Sequence, residues 1–196
     1  MTIPELDDPM TLFNSWLHEA EDKEDDIPTA ACLATATTGG VPSARMVLLK
    51  GADPDGFVFY TNLESRKGAE LLDNPQAALC FHWKSIRRQV RIEGRTTKVP
   101  SVEADEYFAS RPRAAQIGAW ASSQSKTLKA PSHLEERLAE FTAKFNSGTI
   151  PRPEHWSGYR VIPERIEFWQ HGDFRLHDRL CYQRDGGNWS REWLFP

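Results

Sequence analysis

Residues 174–179, FRLHDR, place Arg175, His177 and Arg179 at alternate positions. In an extended strand every second side chain points the same way. The spacing therefore predicts two guanidiniums and an imidazole on one face, with Leu176, Asp178 and Leu180 on the other. Like charges gathered in this way call for an anion. A second set lies in FYTNLESRKGAELL, where a strand runs into a helix and Ser65, Arg66 and Lys67 arrive at the helix's first residues. Unpaired N–H groups and the positive dipole end attract a phosphate there, and a hydroxyl with two cations adds to the attraction. Read alone, the same residues equally make a solvated basic turn.

Other candidates are weaker singly. In RMVLLK, alternation puts Met46, Leu48 and Lys50 on one face of a strand and Arg45, Val47 and Leu49 on the other, so one terminal cation faces inward or both reach solvent. Tyr107 and Arg111 in YFASRPRAAQIGAW stand four residues apart, which predicts a phenol beside a guanidinium on one helical face, suited to phosphate or to a plain helix surface. Gln89 carries an amide that can both donate to and accept from a planar heterocycle. The arginines around it, Arg87, Arg88, Arg91 and Arg95, spread over both faces and read as a charged edge that blocks aggregation. Trp169, ahead of the opening stretch, supplies an indole to cover a ring or to fill a core.

The elements that must position these residues are legible in outline. Asp8 and Pro9 read as a cap and first-turn proline ahead of Phe13, Trp16, Leu17 and Ala20 at helical spacing, giving an N-terminal helical segment within residues 1–25. Three β-prone runs between Thr29 and Asn62, separated by Gly-Gly and Asp-Pro-Asp-Gly turns, predict an antiparallel meander. A helix from Ser65 to Asp73 follows, then strands in QAALCFHW and RRQVRIEGRTTKV. Ser101 and Ser132 each open a helical segment, the second with a capping box through Glu135. GYRVIPERIEFWQ, FRLHDRLCYQR and NWSREWLF complete the strands, the last two joined by an Asp185-Gly186-Gly187 turn. Short antiparallel strands with a few helices favour a small closed barrel, and no linker divides the 196 residues, so one domain is expected.

A net charge of -4 and a pI of about 5.9 argue against broad binding to nucleic acid or anionic membrane, so an anion site must be local. No stretch reaches the roughly 18 apolar residues that span a bilayer. Cys32, Cys80 and Cys181 show neither zinc-ligand spacing nor a disulfide pattern; a reducing cytoplasm and no metal site are expected. GxGxxG, Walker, HExxH and GxSxG signatures are all missing. Several phosphate-suited sets without an evident nucleophile imply that a bound cofactor carries the chemistry.

Taken together and in order, RMVLLKG, FYTNLESRKGAELLDNP, RQVRIEG, YFASRPRAAQIGAW, EFWQ and RLHDR resemble the pyridoxamine/pyridoxine 5'-phosphate oxidase family, from about Pro9 to Pro196. The resemblance implies a mainly β fold with flanking helices, the FMN-binding split β-barrel, in a homodimer with flavin at the subunit interface. It implies oxidation of pyridoxamine or pyridoxine 5'-phosphate by O2 to pyridoxal 5'-phosphate in vitamin B6 biosynthesis, releasing peroxide, and ammonia from the amine. By position, FMN would be held by Arg45, Met46, Val47, Leu48, Lys50, Tyr60, Thr61, Ser65, Arg66, Lys67, Gln89, Gln124, Ser125, Trp169 and Arg179. Substrate would be held by Lys50, Tyr107, Arg111 and the Ala115 position, with Arg175 and His177 as catalytic residues near its reacting end. Two departures stand out: Ala115 where many members carry Ser, and Trp193 where Arg is common. The rival readings are a split-barrel FMN oxidase of the phenazine-pathway type acting on another ring, and a non-catalytic FMN or pyridoxal-phosphate carrier.

Overall fold

The computed structural model describes residues 3–196. Helix α1 (Pro9–Lys23) begins where Asp8 caps it: the carboxylate accepts from the N–H groups of Met10 at 3.1 Å and Thr11 at 2.9 Å, and Pro9 takes a position whose N–H would have no partner. The N-terminal helical segment is thus where the sequence puts it, except that residues 1 and 2 lie outside the described residues. Its apolar stripe, Leu12, Phe13, Trp16 and Ala20, is buried. Phe13 meets Phe57 edge-on at 4.9 Å and Phe81 at 5.2 Å, and Trp16 meets Phe168 at 5.2 Å. Such pairs bury large apolar area with favourable ring geometry.

Among the described residues eight antiparallel strands make one sheet: β1 (Ala30–Ala36), β2 (Pro42–Asp53), β3 (Gly56–Asn62), β4 (Gln76–Trp83), β5 (Arg88–Lys98), β6 (Trp156–Gln170), β7 (Asp178–Asp185) and β8 (Asn188–Trp193). Their order is β3-β2-β1-β4-β5-β6-β7-β8, and β3 also pairs with β6. That pairing closes β3-β2-β1-β4-β5-β6 into a six-stranded barrel, with β7 and β8 extending from β6. Alternate residues such as Leu33, Leu79, Phe81, Val90, Ile92, Ile166 and Phe168 fill the core that α1 covers. The expected mainly β barrel with flanking helices is the observed fold.

Helix α2 (Arg66–Asp73) sits against the end of β3, capped by Ser65, whose Oγ accepts from the Gly68 N–H at 3.3 Å. Helices α3 (Ser101–Ser110), α4 (Arg113–Ala121) and α5 (Pro131–Lys144) pack beside the barrel over Phe108, Ile117, Ile150 and Trp156. One register shift matters for the site. Leu49 opposes Phe59 and Gly51 opposes Val58, so Lys50 is the extra residue of a bulge, the device that re-aims a side chain at a strand's edge.

Three local readings are corrected. Residues 174–179 are not a strand: Asp173–Arg175 form a 3₁₀ turn in which Phe174 (φ 55°) and Arg175 (φ 66°) are left-handed, and β7 begins only at Asp178. Only glycine fits at 172 where the chain doubles back, since a Cβ there would stand 1.9 Å from the Leu176 carbonyl oxygen. Arg175, His177 and Arg179 therefore do not share one strand face. Tyr107 and Arg111 do not share a helical face either. Pro112 disfavours helical geometry at the residue before it, and Arg111 is extended (φ −70°, ψ 148°) in the break between α3 and α4. Ser132 is not a cap: α5 starts at Pro131 with Ala130 at the cap position and no side-chain cap bond.

Gly68 lets α2 approach the chain after β3 closely, since a Cβ there would lie 2.1 Å from the Leu63 carbonyl oxygen. Gly68→Ala is expected to push α2 off β3 and cost about 1–3 kcal/mol, seen as a melting temperature lower by several degrees. An unchanged melting temperature would contradict this close approach.

Candidate active site

The start of α2 gathers cations around one carboxylate. Glu70 is only 6% exposed. Its Oε1 accepts from Arg66 Nε at 2.9 Å, while its Oε2 accepts from Thr35 at 2.5 Å, Ser43 at 2.6 Å and Arg45 Nη2 at 3.2 Å. Burial pushes its pKa up, but the bonds from Ser43, Thr35, Arg66 and Arg45 outweigh that and hold it at about 2. Lys67 is buried beside this group and directs its ammonium to Gln124 Oε1 at 2.9 Å, Thr61 Oγ1 at 3.1 Å and Ser65 Oγ at 3.2 Å. Burial, then the nearby Arg45 charge, lower its pKa. Arg45, Arg66 and Lys67 against Glu70 leave two positive charges in excess. That matches a phosphate monoester, which carries about −1.5 to −2 near neutral pH.

Thr61 and Gln124 join this cluster to a cavity of about 430 Å³. Lys50 enters from the β2 bulge, Tyr60 and Thr61 from β3, Tyr107 and Arg111 from the end of α3, Ala115 from α4 and Trp156 from β6. Tyr60 stacks on Tyr107 with centroids 3.9 Å apart and on Trp156 at 5.3 Å. Burial, then Glu103, whose carboxylate accepts from the Tyr60 hydroxyl, push that phenol up to about 12. The Arg111 guanidinium lies 4.7 Å from the Trp156 ring centre, a cation–π contact. Its Nη1 is buried and has no hydrogen-bond partner among the described residues, and burial lowers its pKa. A buried donor left without a partner is costly. Lys50, Tyr107 and Arg111 line the same cavity and could together hold a second anion.

The remaining sequence-derived residues form a separate group. Gln89, Trp169 and Arg179 are successive cross-strand partners on β5, β6 and β7. Arg179 donates from Nε to Glu167 at 2.9 Å and from Nη1 to the Phe195 carbonyl at 2.8 Å. His177 lies 4.6 Å from Trp169, ring to ring, and its Nδ1 accepts from the Gly172 N–H. Arg175 is exposed on the left-handed turn. The 430 Å³ cavity is lined by none of Gln89, Trp169, Arg175, His177 and Arg179. Met46 and Leu48 point outward, 63% and 40% exposed, while Val47 packs on the core and Arg45 turns in toward Glu70. Ser125 follows Gln124 on an exposed loop with φ 69°.

Comparison with known proteins agrees with this geometry. The family model described as "Pyridoxamine 5'-phosphate oxidase" matches residues 21–145, and that described as "Pyridoxine 5'-phosphate oxidase C-terminal dimerisation region" matches residues 156–196. The chain belongs to the pyridoxamine 5'-phosphate oxidase family. A pyridoxine/pyridoxamine 5'-phosphate oxidase of Rhodospirillum rubrum is 58% identical over 194 residues, covering 96% of each chain. The same-named protein of Gluconobacter oxydans is 56% identical, over 99% of this chain and 98% of its own. Among solved structures, PhzG of Burkholderia lata in complex with tetrahydrophenazine-1-carboxylic acid superposes with a TM-score of 0.92 at 34% identity, covering 97% of this chain and 94% of its own.

Two residues of this family member's site escape a reading by motif. Glu70 carried a signal, since it stands four residues after Arg66 on one helix face. Trp156 carried none: it reaches the cavity only because β3–β6 pairing sets it opposite Asn62.

Glu70 also gives a pH prediction. Its folded pKa of about 2 lies below the usual 4.5, so its contribution to stability is fully present above about pH 4.5 and is lost as pH falls through about 2. Glu70→Gln is expected to melt lower than wild type at pH 7, with the gap narrowing below about pH 4.5. A gap that stays constant down to pH 3 would contradict the ion cluster.

Proposed function

We propose that this chain is an FMN-dependent oxidase of pyridoxamine or pyridoxine 5'-phosphate, yielding pyridoxal 5'-phosphate and hydrogen peroxide, with ammonia released from the amine. The observation that carries the reading is the pair of anion sites joined through Thr61 and Gln124: a cluster with two positive charges in excess, and a cavity holding Lys50, Tyr107 and Arg111, whose buried Nη1 has no partner among the described residues. One suits a flavin phosphate, the other a substrate phosphate.

In this reading Arg45, Arg66, Lys67, Ser65 and Thr61 surround the FMN phosphate. Met46, Val47, Leu48, Lys50, Tyr60, Gln124 and Ser125 belong to the same site, and Gln89, Trp169 and Arg179 serve the ring. Bound FMN supplies the two-electron acceptor and the route for those electrons to O2. Lys50, Tyr107 and Arg111 clamp the substrate phosphate away from the reacting carbon, which fixes orientation and turns the encounter into a near-unimolecular one. Arg175 and His177 then orient the pyridine ring's reacting end, the Arg175 charge acting on the substrate electrostatically and not as a proton acceptor.

Those last two residues belong to the group outside the cavity, so one chain does not bring all the proposed ligands to one place. A homodimer with FMN at the interface resolves this, each cavity receiving Gln89, Trp169, Arg175, His177 and Arg179 from the other subunit. The match of residues 156–196 to a dimerisation region and the outward Met46, Leu48, Phe174 and Phe195 support that arrangement. Residues 1–196 would act as one FMN-binding unit, in the cytoplasm. Among the described residues no helix is long and apolar enough to cross a membrane.

A second reading, an oxidase of tricyclic phenazine precursors, is favoured by the PhzG likeness and by Ala115, which offers a methyl group where a hydroxyl would meet the phosphate. One assay separates the two. Purified yellow protein given pyridoxine 5'-phosphate should form peroxide and pyridoxal 5'-phosphate, and unphosphorylated pyridoxine should be a far poorer substrate. In the same assay Ala115→Ser should lower KM by about 2- to 10-fold at constant kcat, the worth of one neutral hydrogen bond. No peroxide with the phosphorylated vitamers would overturn the proposal.

A further inference from the structure

Glu70 is out of place in a site meant for an anion. Its charge repels a phosphate held by Arg45 and Arg66, and electrostatics alone would favour a neutral residue. Its bonding pattern suggests what offsets that repulsion. Arg45 directs its Nη atoms inward, to the Leu33 carbonyl, Thr35, Ser43 and Glu70, leaving only Nε. Arg66 is different: Glu70 takes its Nε, the side chain is 59% exposed, and its two Nη atoms make no hydrogen bond among the described residues. A long exposed side chain loses rotamer freedom when it binds, and a guanidinium already fixed at Nε presents its terminal fork with less of that loss.

We infer that Glu70 is a positioning residue that sets the selectivity of the site for a phosphorylated flavin, holding Arg66 with its fork turned outward and Arg45 turned inward beneath it. Glu70 itself touches neither flavin nor substrate. The inference rests on the proposed reading of this cluster as the flavin-phosphate site and adds what selects the phosphorylated form.

The test compares FMN with riboflavin, which lacks the phosphate. The full-length protein is freed of flavin, and each flavin is titrated by quenching of its fluorescence, in wild type, Glu70→Gln and Glu70→Asp, with circular dichroism confirming the fold. Aspartate keeps the charge but shortens the reach, so geometry and charge are separated. Both variants should bind FMN roughly 10- to 100-fold more weakly, the worth of a charge-assisted hydrogen bond, with riboflavin affinity changed less than about twofold. Unchanged or tighter FMN binding in Glu70→Gln would overturn the positioning role, as would equal weakening for both flavins. If wild type binds riboflavin as tightly as FMN, the reading of the cluster as a phosphate site fails, and the inference with it. If either variant fails to fold, Arg66→Ala decides in its place: a loss confined to FMN upholds the presented fork, and none refutes it.

Discussion

Charge held together without enough counter-charge is the constraint on which the rest of this structure depends. Arg45, Arg66 and Lys67 surround a single carboxylate, and Lys67 is buried while doing so. The desolvation of an ammonium and its repulsion from Arg45 oppose folding, and both lower the Lys67 pKa. The fold offsets them with hydroxyls and one amide: Thr35 and Ser43 partner Arg45 and Glu70, and Thr61, Ser65 and Gln124 partner Lys67, which lets these groups stay charged at low exposure. A phosphate that completes the neutralisation would be stabilised by the same arrangement, which makes the binding of a dianion and the stability of the barrel's end two sides of one interaction.

The barrel explains how distant residues come to share this place. β2 supplies Arg45 and, through its bulge, Lys50; β3 supplies Tyr60 and Thr61; α2 begins against the end of β3 at Gly68; and β6 returns Trp156 beside Tyr60. None of these elements could be displaced singly, since Phe57, Phe59 and Tyr159 lock β3 and β6 to the core beneath them. The aromatic stack of Trp156, Tyr60 and Tyr107 then does for Arg111 what hydroxyls do for Lys67, giving a cation the Trp156 face while its Nη1 keeps no partner among the described residues.

Much of this was legible in the chain. Asp8 with Pro9, and Ser65 ahead of the second helix, announce helix starts by short-range chemistry that tertiary packing does not override. Alternation along RMVLLK correctly puts Arg45 and Val47 on one face and Met46 and Leu48 on the other, but it does not say which cation turns inward: Arg45 turns toward Glu70, and the bulge brings Lys50 to the cavity. Periodicity failed where the backbone leaves its common regions. The left-handed Phe174 and Arg175 beside the close approach at Gly172 carry no signature in the local pattern, and a period of two was read into a turn. The pairing of Tyr107 with Arg111 came true in space for a reason other than helical spacing: Pro112 breaks the helix, and the cavity reunites the two. That the proposed ligands fall into two groups could not be read from the sequence, because which residues share a cavity is fixed by strand order, and β5–β7 carry their group away from it.

The central claim is that a complete site takes the phosphate clamp of one subunit and the Arg175 turn of another. Mixed dimers test it most directly. Arg111→Ala and Arg175→Leu, each purified and each nearly inactive, would be mixed in equal amounts and allowed to exchange subunits. Statistical exchange makes about half the dimers mixed, each with one of two sites intact, so about a quarter of wild-type activity should return. Activity no greater than the sum of the two variants after confirmed exchange would contradict a site shared between chains.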